Sequence, residues 1–241
     1  MPLEDSAYIA CGGVATPNGF NNGAQLTGIG PLAPIFSYVV IPLTLQAANI
    51  AASQSPAAAA LTLTAGTGTT SVTINGQTAV KLDCARALRI TSGGNDSGIT
   101  FNVVGYDQYG VAMHENITGA NAGIATGKKA WLYIVSITPS AAAASTVSVG
   151  TADLFGLPFY ISDRTFALSV QWNNTLAKDT GTLTVGVTTT ASATTGDVRG
   201  TYVPSTGASD GVKQLVFTQI ISSAQIGASA TSASVLGVTQ F

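Results

Sequence analysis

One imidazole serves the whole chain: His114, inside "GITFNVVGYDQYGVAMHENITG" at residues 98–119. A Ser-His-Asp or Cys-His nucleophile would have to take its general base from that residue. No GxSxG elbow accompanies it. A metal site built from thiolate and imidazole has three donors to draw on, Cys11, Cys84 and His114, without the close pairing such ligands show. "GIATGKK" (residues 123–129) resembles a phosphate loop, but one residue too few separates its glycines, and Lys129 stands where Ser or Thr must hold magnesium. "GTGTTS" lacks the last glycine of a dinucleotide fingerprint. Both read as turns, with Lys128 and Lys129 a solvated pair.

Glycoside cleavage needs two carboxylates facing each other across a sugar. Asp153, Asp163, Asp179, Asp197 and Asp210 are available, each in a turn-like setting beside Gly, Thr, Arg or Lys. Turn capping and local ion pairs, Asp163 with Arg164 and Asp197 with Arg199, account for them. Trp131 and Trp172 lie in apolar runs and are expected in the core. No catalytic, cofactor-binding or metal-ligating residue is assigned, and the chain is expected to be no enzyme.

The elements that would carry these residues are strands. Ile99, Phe101 and Val103 alternate onto one face, and "DQYG" places Asp107 first and Gly110 last in a type I turn. On the return strand Met113, Glu115 and Ile117 share one face, which leaves His114 on the wetter one. Glu115 on the apolar side requires a bulge after Met113 or a buried partner. Elsewhere short runs rich in Val, Ile, Thr, Phe and Tyr alternate with Gly, Asn, Asp and Ser clusters, the mark of an antiparallel sandwich or barrel. Candidate strands are 61–64, 70–74, 79–82, 87–91, 99–104, 111–118, 130–138, 146–149, 159–162, 166–172, 181–187, 198–203 and 214–222. Asn75-Gly76 favours a tight hairpin. No segment shows a helical apolar period, so the predicted fold class is all-β: an antiparallel β-sandwich, jelly-roll-like, with an extended N-terminal arm.

The arm is residues 1–46. Pro2, Pro17, Pro31, Pro34 and Pro42 fall there among six glycines, Gly12, Gly13, Gly19, Gly23, Gly28 and Gly30, which excludes a helix. Tyr8, Phe20, Phe36, Tyr38, Val39, Val40 and Ile41 make it too apolar for a solvated tail. An extended arm laid on another surface satisfies both facts, and its reach is on the order of 130 Å. Residues 47–60, "AANIAASQSPAAAA", read as a linker, and residues 61–241 as the sandwich body. Pro139 to Thr146 is either a domain linker or a loop between sheets; the lack of an internal repeat favours one sandwich.

Composition narrows the partners. Only 8% of the 241 residues are charged, against roughly 25% in ordinary domains. The net charge is -2, with no basic stripe for phosphates, so nucleic acid is not expected as a partner. Glu4 and Asp5 stand where a signal peptide carries basic charge, and "PIFSYVVIPLTL" is too short to span a bilayer, so no membrane partner is expected and synthesis in a cytoplasm is. Cys11 and Cys84 read as separate small apolar residues. Weak charge lowers repulsion between copies, as suits an obligate assembly.

Three stretches, "SGGNDSGITFNVVGYDQYGVAMHENITG", "GTADLFGLPFYISDR" and "TTGDVRGTYVPSTGASDGVKQL", resemble virion structural proteins of tailed bacteriophages. The resemblance covers residues 92–213 discontinuously. It implies a head protein, a cement or decoration protein seated on the major capsid protein as a jelly-roll-like homo-oligomer, often a trimer, with no cofactor. Residues 1–60 carry no part of it. Their composition makes Phe20, Phe36, Tyr38 and Ile41 the expected interface anchors. A tail or fibre protein that binds a host receptor is the rival expectation.

Overall fold

A computed structural model describes residues 35–187, 196–221, 237, 238 and 240. The chain is all-β. Strands β1 (Ile35–Val40), β2 (Ala51–Gln54), β3 (Thr70–Ile74) and β4 (Gln77–Ser92) are followed by β5 (Thr100–Tyr106), β6 (Ala112–Thr118), β7 (Ile124–Thr126), β8 (Trp131–Pro139) and β9 (Val147–Gly156). A 3-10 turn, Arg164–Phe166, leads into β10 (Ala167–Trp172), and β11 (Thr182–Val185), β12 (Gly200–Val203) and β13 (Leu215–Ile220) complete the set.

Two antiparallel sheets result. One is ordered β11-β12-β9-β4-β8-β5-β6, with β2 added to β9 and β3 and β7 to β4; the other is β1-β13-β10. The 16-residue β4 joins the cores beneath them. Val80, Leu82, Leu88 and Ile90 enter a core with Phe101, Met113, Ile117 and Trp131, while Cys84 enters a second with Phe155, Trp172, Leu215 and Phe217. Asn75 and Gly76 adopt positive φ (49° and 77°) between Ile74 and Gln77, the two-residue hairpin that their side chains permit.

Several boundaries differ from the sequence reading. Runs 79–82 and 87–91 are one strand, because the charges between them, Asp83 and Arg86, neutralise each other inside the fold. Residues 61–64 stay outside any ladder: Leu61 N donates to Ile137 O, and Thr62 N bonds the Gln54 side chain. Residues 159–162 are likewise outside the strands. The run at 146–149 continues to Gly156.

Ile35–Val40, read as arm, is β1 and pairs with β13 of the same chain. Within residues 47–60, Ile50 and Ala51 are fully buried, and β2 pairs with β9. Gly150 permits that approach, since a Cβ there would strike Gln46 O and Ala47 C. The tract from Pro139 to Thr146 connects β8 to β9, strands that both pair with β4 in one sheet. No helix among the described residues is long and apolar enough to cross a membrane.

Candidate functional site

The hairpin at residues 100–118 holds its register without interruption, from Thr100 opposite Thr118 to Tyr106 opposite Ala112. No bulge follows Met113, so Glu115 points inward and is 2% exposed. Buried partners account for it. Its Oε1 accepts from Lys128 N and Lys129 N, and its Oε2 from Trp131 Nε1 at 3.1 Å. Burial pushes the Glu115 carboxyl above the ordinary range, against the pull of those donors. The carboxylate thereby bridges the break between β7 and β8, accepting from two backbone N–H groups and the indole of Trp131. His114, one residue earlier, is half-exposed on the opposite face.

Beside Glu115 lies a pocket of about 360 Å³, lined by Glu115, Asn116, Ile117, Thr118, Thr126 and Lys128. It holds a single carboxylate, whereas a glycosidase needs two. The aspartates named from sequence are committed to the fold. Asp153 accepts from Arg86, Ser209 N and Ser209 Oγ. Asp163 caps the 3-10 turn through Thr165 N and Oγ1, and those bonds hold its pKa below the usual range. Burial raises Asp179, but bonds from Ser205, Tyr202 and Gly181 outweigh it and leave the pKa low. Asp210 accepts from Val212 N and Lys213 N and pairs with Lys213 Nζ at 3.3 Å.

Two sequence expectations are corrected here. Arg199 pairs not with Asp197 but with Asp107 at 2.9 Å, both buried, while Asp197 accepts from Arg199 N and Ala130 N. The hairpin turn is thus bolted to the residue that precedes β12, 92 positions along the chain, because Asp107 Oδ1 is occupied by Tyr109 N and Val111 N and Oδ2 remains for the guanidinium. Nor are Lys128 and Lys129 a solvated pair. Lys128 is exposed, but Lys129 is fully buried with Nζ 2.8 Å from Gln240 O, and burial lowers its pKa. Trp131 and Trp172 are core residues, as expected. Cys84 is a buried free thiol whose pKa burial raises, and Cys11 lies outside the described residues. Among the described residues no group of three or more His, Cys, Asp or Glu side chains could hold a metal.

The surface anomaly lies on β1 and the residues after it. Ile35, Phe36, Val39, Ile41 and Leu43 are 54, 46, 52, 50 and 44% exposed, and no residue from 35 to 43 is charged. Together they form an uncharged apolar strip on the surface. Of the anchors expected from sequence, Phe36 lies tilted against Phe159 with ring centroids 4.8 Å apart, Tyr38 packs against the second core, Ile41 is half-exposed, and Phe20 lies outside the described residues. Ile35, Val39 and Leu43 are not among the anchors expected from sequence, although Val39 belongs to the arm's apolar set and the uncharged apolar run from Ile35 to Leu43 is their signal.

The strip is held by buried charge. Leu43 N donates to Asp83 Oδ2 at 2.7 Å, and Leu43 O accepts from Arg86 Nη1 at 3.2 Å. Arg86 is 1% exposed and also reaches Asp153, Ser209 Oγ and Ala152 O, with its guanidinium 5.3 Å from the Phe155 ring centroid. One buried guanidinium therefore fixes where the strip leaves the body. Comparison with protein-family models, curated proteins and solved structures finds no match.

Proposed function

We propose that this chain is a non-enzymatic structural protein of a bacteriophage head, one that binds and stabilises the assembled capsid lattice. The observation that carries this reading is the uncharged apolar strip at residues 35–43, displayed on a body whose candidate catalytic aspartates are bonded within the fold. The resemblance of residues 92–213 to virion proteins supports the head assignment. Phe36, Tyr38 and Ile41 are the described anchors, with Phe20 completing the set, and the partners are the major capsid protein and further copies of the chain.

The mechanism is linkage. A protein that binds only the assembled lattice stabilises it by about 2.7 kcal/mol per site at a hundredfold excess over Kd, and the gain repeats over the shell. The test is add-back: shells stripped of this protein are heated with and without the purified chain, and copies per particle are counted by quantitative gel. Saturable uptake at near stoichiometry with the capsid protein, with a higher disruption temperature, is the expected result. A handful of copies per particle, confined to the tail, would overturn it and favour a receptor-binding tail protein.

A further inference from the structure

The three-stranded sheet has two edges, and the chain itself covers one of them. Outside β10, Asp179 N donates to Val170 O at 2.8 Å and Gln171 forms a bridge with Lys178. The other edge, β1, pairs with β13 on one side and with no described strand on the other. Natural sheets blunt such edges with charge, proline or a bulge. "IFSYVV" carries none of these along its length, and its register with β13 is unbroken from Ile35 to Val40. Its outer face, Ile35, Ser37 and Val39, continues onto Ile220, Thr218 and Val216 of β13, and the Ser37 Oγ to Thr218 Oγ1 bond of 2.9 Å lies on that face.

We propose that β1 pairs with β1 of a second copy, joining two three-stranded sheets into one of six strands. This inference deepens the functional reading above by naming the partner at the strip, and it rests on that reading of the strip as a protein contact. A second copy is the occupant that the chemistry fits: residues 35–43 offer no charge for an acidic or basic partner to meet, and a net charge of -2 leaves copies little repulsion to overcome. With the outer edge of β10 bridged at Val170 and Gln171, a head-to-tail ring of β1 on β10 is obstructed, so like meets like about a two-fold axis. The contact is a dimer contact rather than the three-fold one implied by the resemblance.

The geometry sets the register. A two-fold that pairs identical strands side by side makes them antiparallel and stands normal to the sheet, and opposed residues then share a face. Outer-face residues must therefore oppose outer-face residues. Ile35 meets the second copy's Val39, and Ser37 meets its own counterpart at the axis. Centring one residue later, on Tyr38, would set the Ser37 hydroxyl against Val39 and lose the apolar pair. On the inner side the same register brings the second copy's Phe36 opposite Tyr38, beside an edge pocket of about 140 Å³ walled by Tyr38, Phe159 and Phe217.

Cross-linking and sedimentation test this with the full-length chain. In a Cys11→Ser background, Ser37→Cys is oxidised and run on a non-reducing gel: a disulfide-linked dimer is expected, because Cβ atoms at the axis lie about 5 Å apart. Val39→Cys, far from its own counterpart in this register, is expected to stay monomeric on the gel. Sedimentation over about 1–100 μM is expected to show wild-type dimers, with Kd raised at least tenfold by Val39→Lys and little changed by Val39→Thr. A wild-type monomer throughout, a trimer whose Ser37→Cys form does not cross-link, or a Val39→Lys variant with normal circular dichroism and unchanged Kd would each overturn the pairing. Shell binding measured on the same samples separates the two readings. A monomer that decorates shells removes the pairing alone, and a dimer that ignores shells removes the head assignment alone.

Discussion

The break between β7 and β8 and the outer edge of β1 both place backbone groups outside the ladders of the described strands, and the described chain treats them in opposite ways. At the break, Glu115 is buried, and its carboxylate takes the stranded N–H groups. At the β1 edge nothing in the described chain does so, and the side chains around it are apolar and exposed. The usual distribution is partly inverted: charge works inside, at joints, while apolar surface is left outside. Several of the chain's few charges fix its own parts, and the apolar strip at residues 35–43 carries none of them.

That contrast can be broken from its inner side. Replacing Arg86 with Met leaves Asp83 and Asp153 without their shared cation and is expected to cost about 3–5 kcal/mol, read by urea unfolding. Because Arg86 also holds Leu43 O, the same variant should lose shell binding at temperatures where it is still folded. An Arg86→Met protein of wild-type stability would show that the joint is incidental.

Glu115→Gln is expected to have a smaller effect, about 1–3 kcal/mol at neutral pH, since an amide oxygen can serve one side of the gap but its NH₂ group confronts the donors on the other. The pH dependence sharpens the point. Burial raises the folded-state pKa of Glu115 above its unfolded value, so its titration contributes stability that is fully present below the unfolded pKa and lost as pH rises through the folded one. Wild type should therefore lose stability relative to Glu115→Gln between the ordinary carboxylate range and that raised value, and the difference should level off above it. Urea midpoints across pH for both proteins give the curve, and a difference that stays flat would contradict the assignment.

The smallest effect is expected at the residue that first suggested chemistry. His114→Gln should change stability by no more than about 0.5 kcal/mol and leave uptake onto shells unaltered, because the imidazole is half-exposed on the face away from the joint. A loss of uptake would return His114 to the functional surface.

Local pattern made much of the fold legible. Alternation placed Met113, Glu115 and Ile117 on the buried face of their strand and His114 on the other, and Asn75-Gly76 announced its turn. The anomaly of Glu115 was visible too, though its donors at 128, 129 and 131 were not, because a side chain's partners depend on which strands meet. The same limit hid Asp107 with Arg199 and Arg86 with Asp153, pairs 92 and 67 residues apart. Proline and glycine density made residues 35–46 look like arm, while their apolar content, noted in the same segment, was the better guide to β1. Phe36, Tyr38 and Ile41 stood out as anchors by size and apolarity; Val39 was noted only as part of the apolar run, and the sheet is what shows it beside Ile35 on an edge that no described strand pairs.

The most direct test of the central claim, that the strip at residues 35–43 is where this chain meets other protein in a phage head, is a cryo-EM reconstruction of particles that carry it. The account predicts density across the capsid lattice, with Ile35, Val39 and Ile41 buried in a protein contact and β1 extended by a neighbouring strand. Density confined to the tail, or a chain on the lattice whose β1 faces solvent, would contradict it.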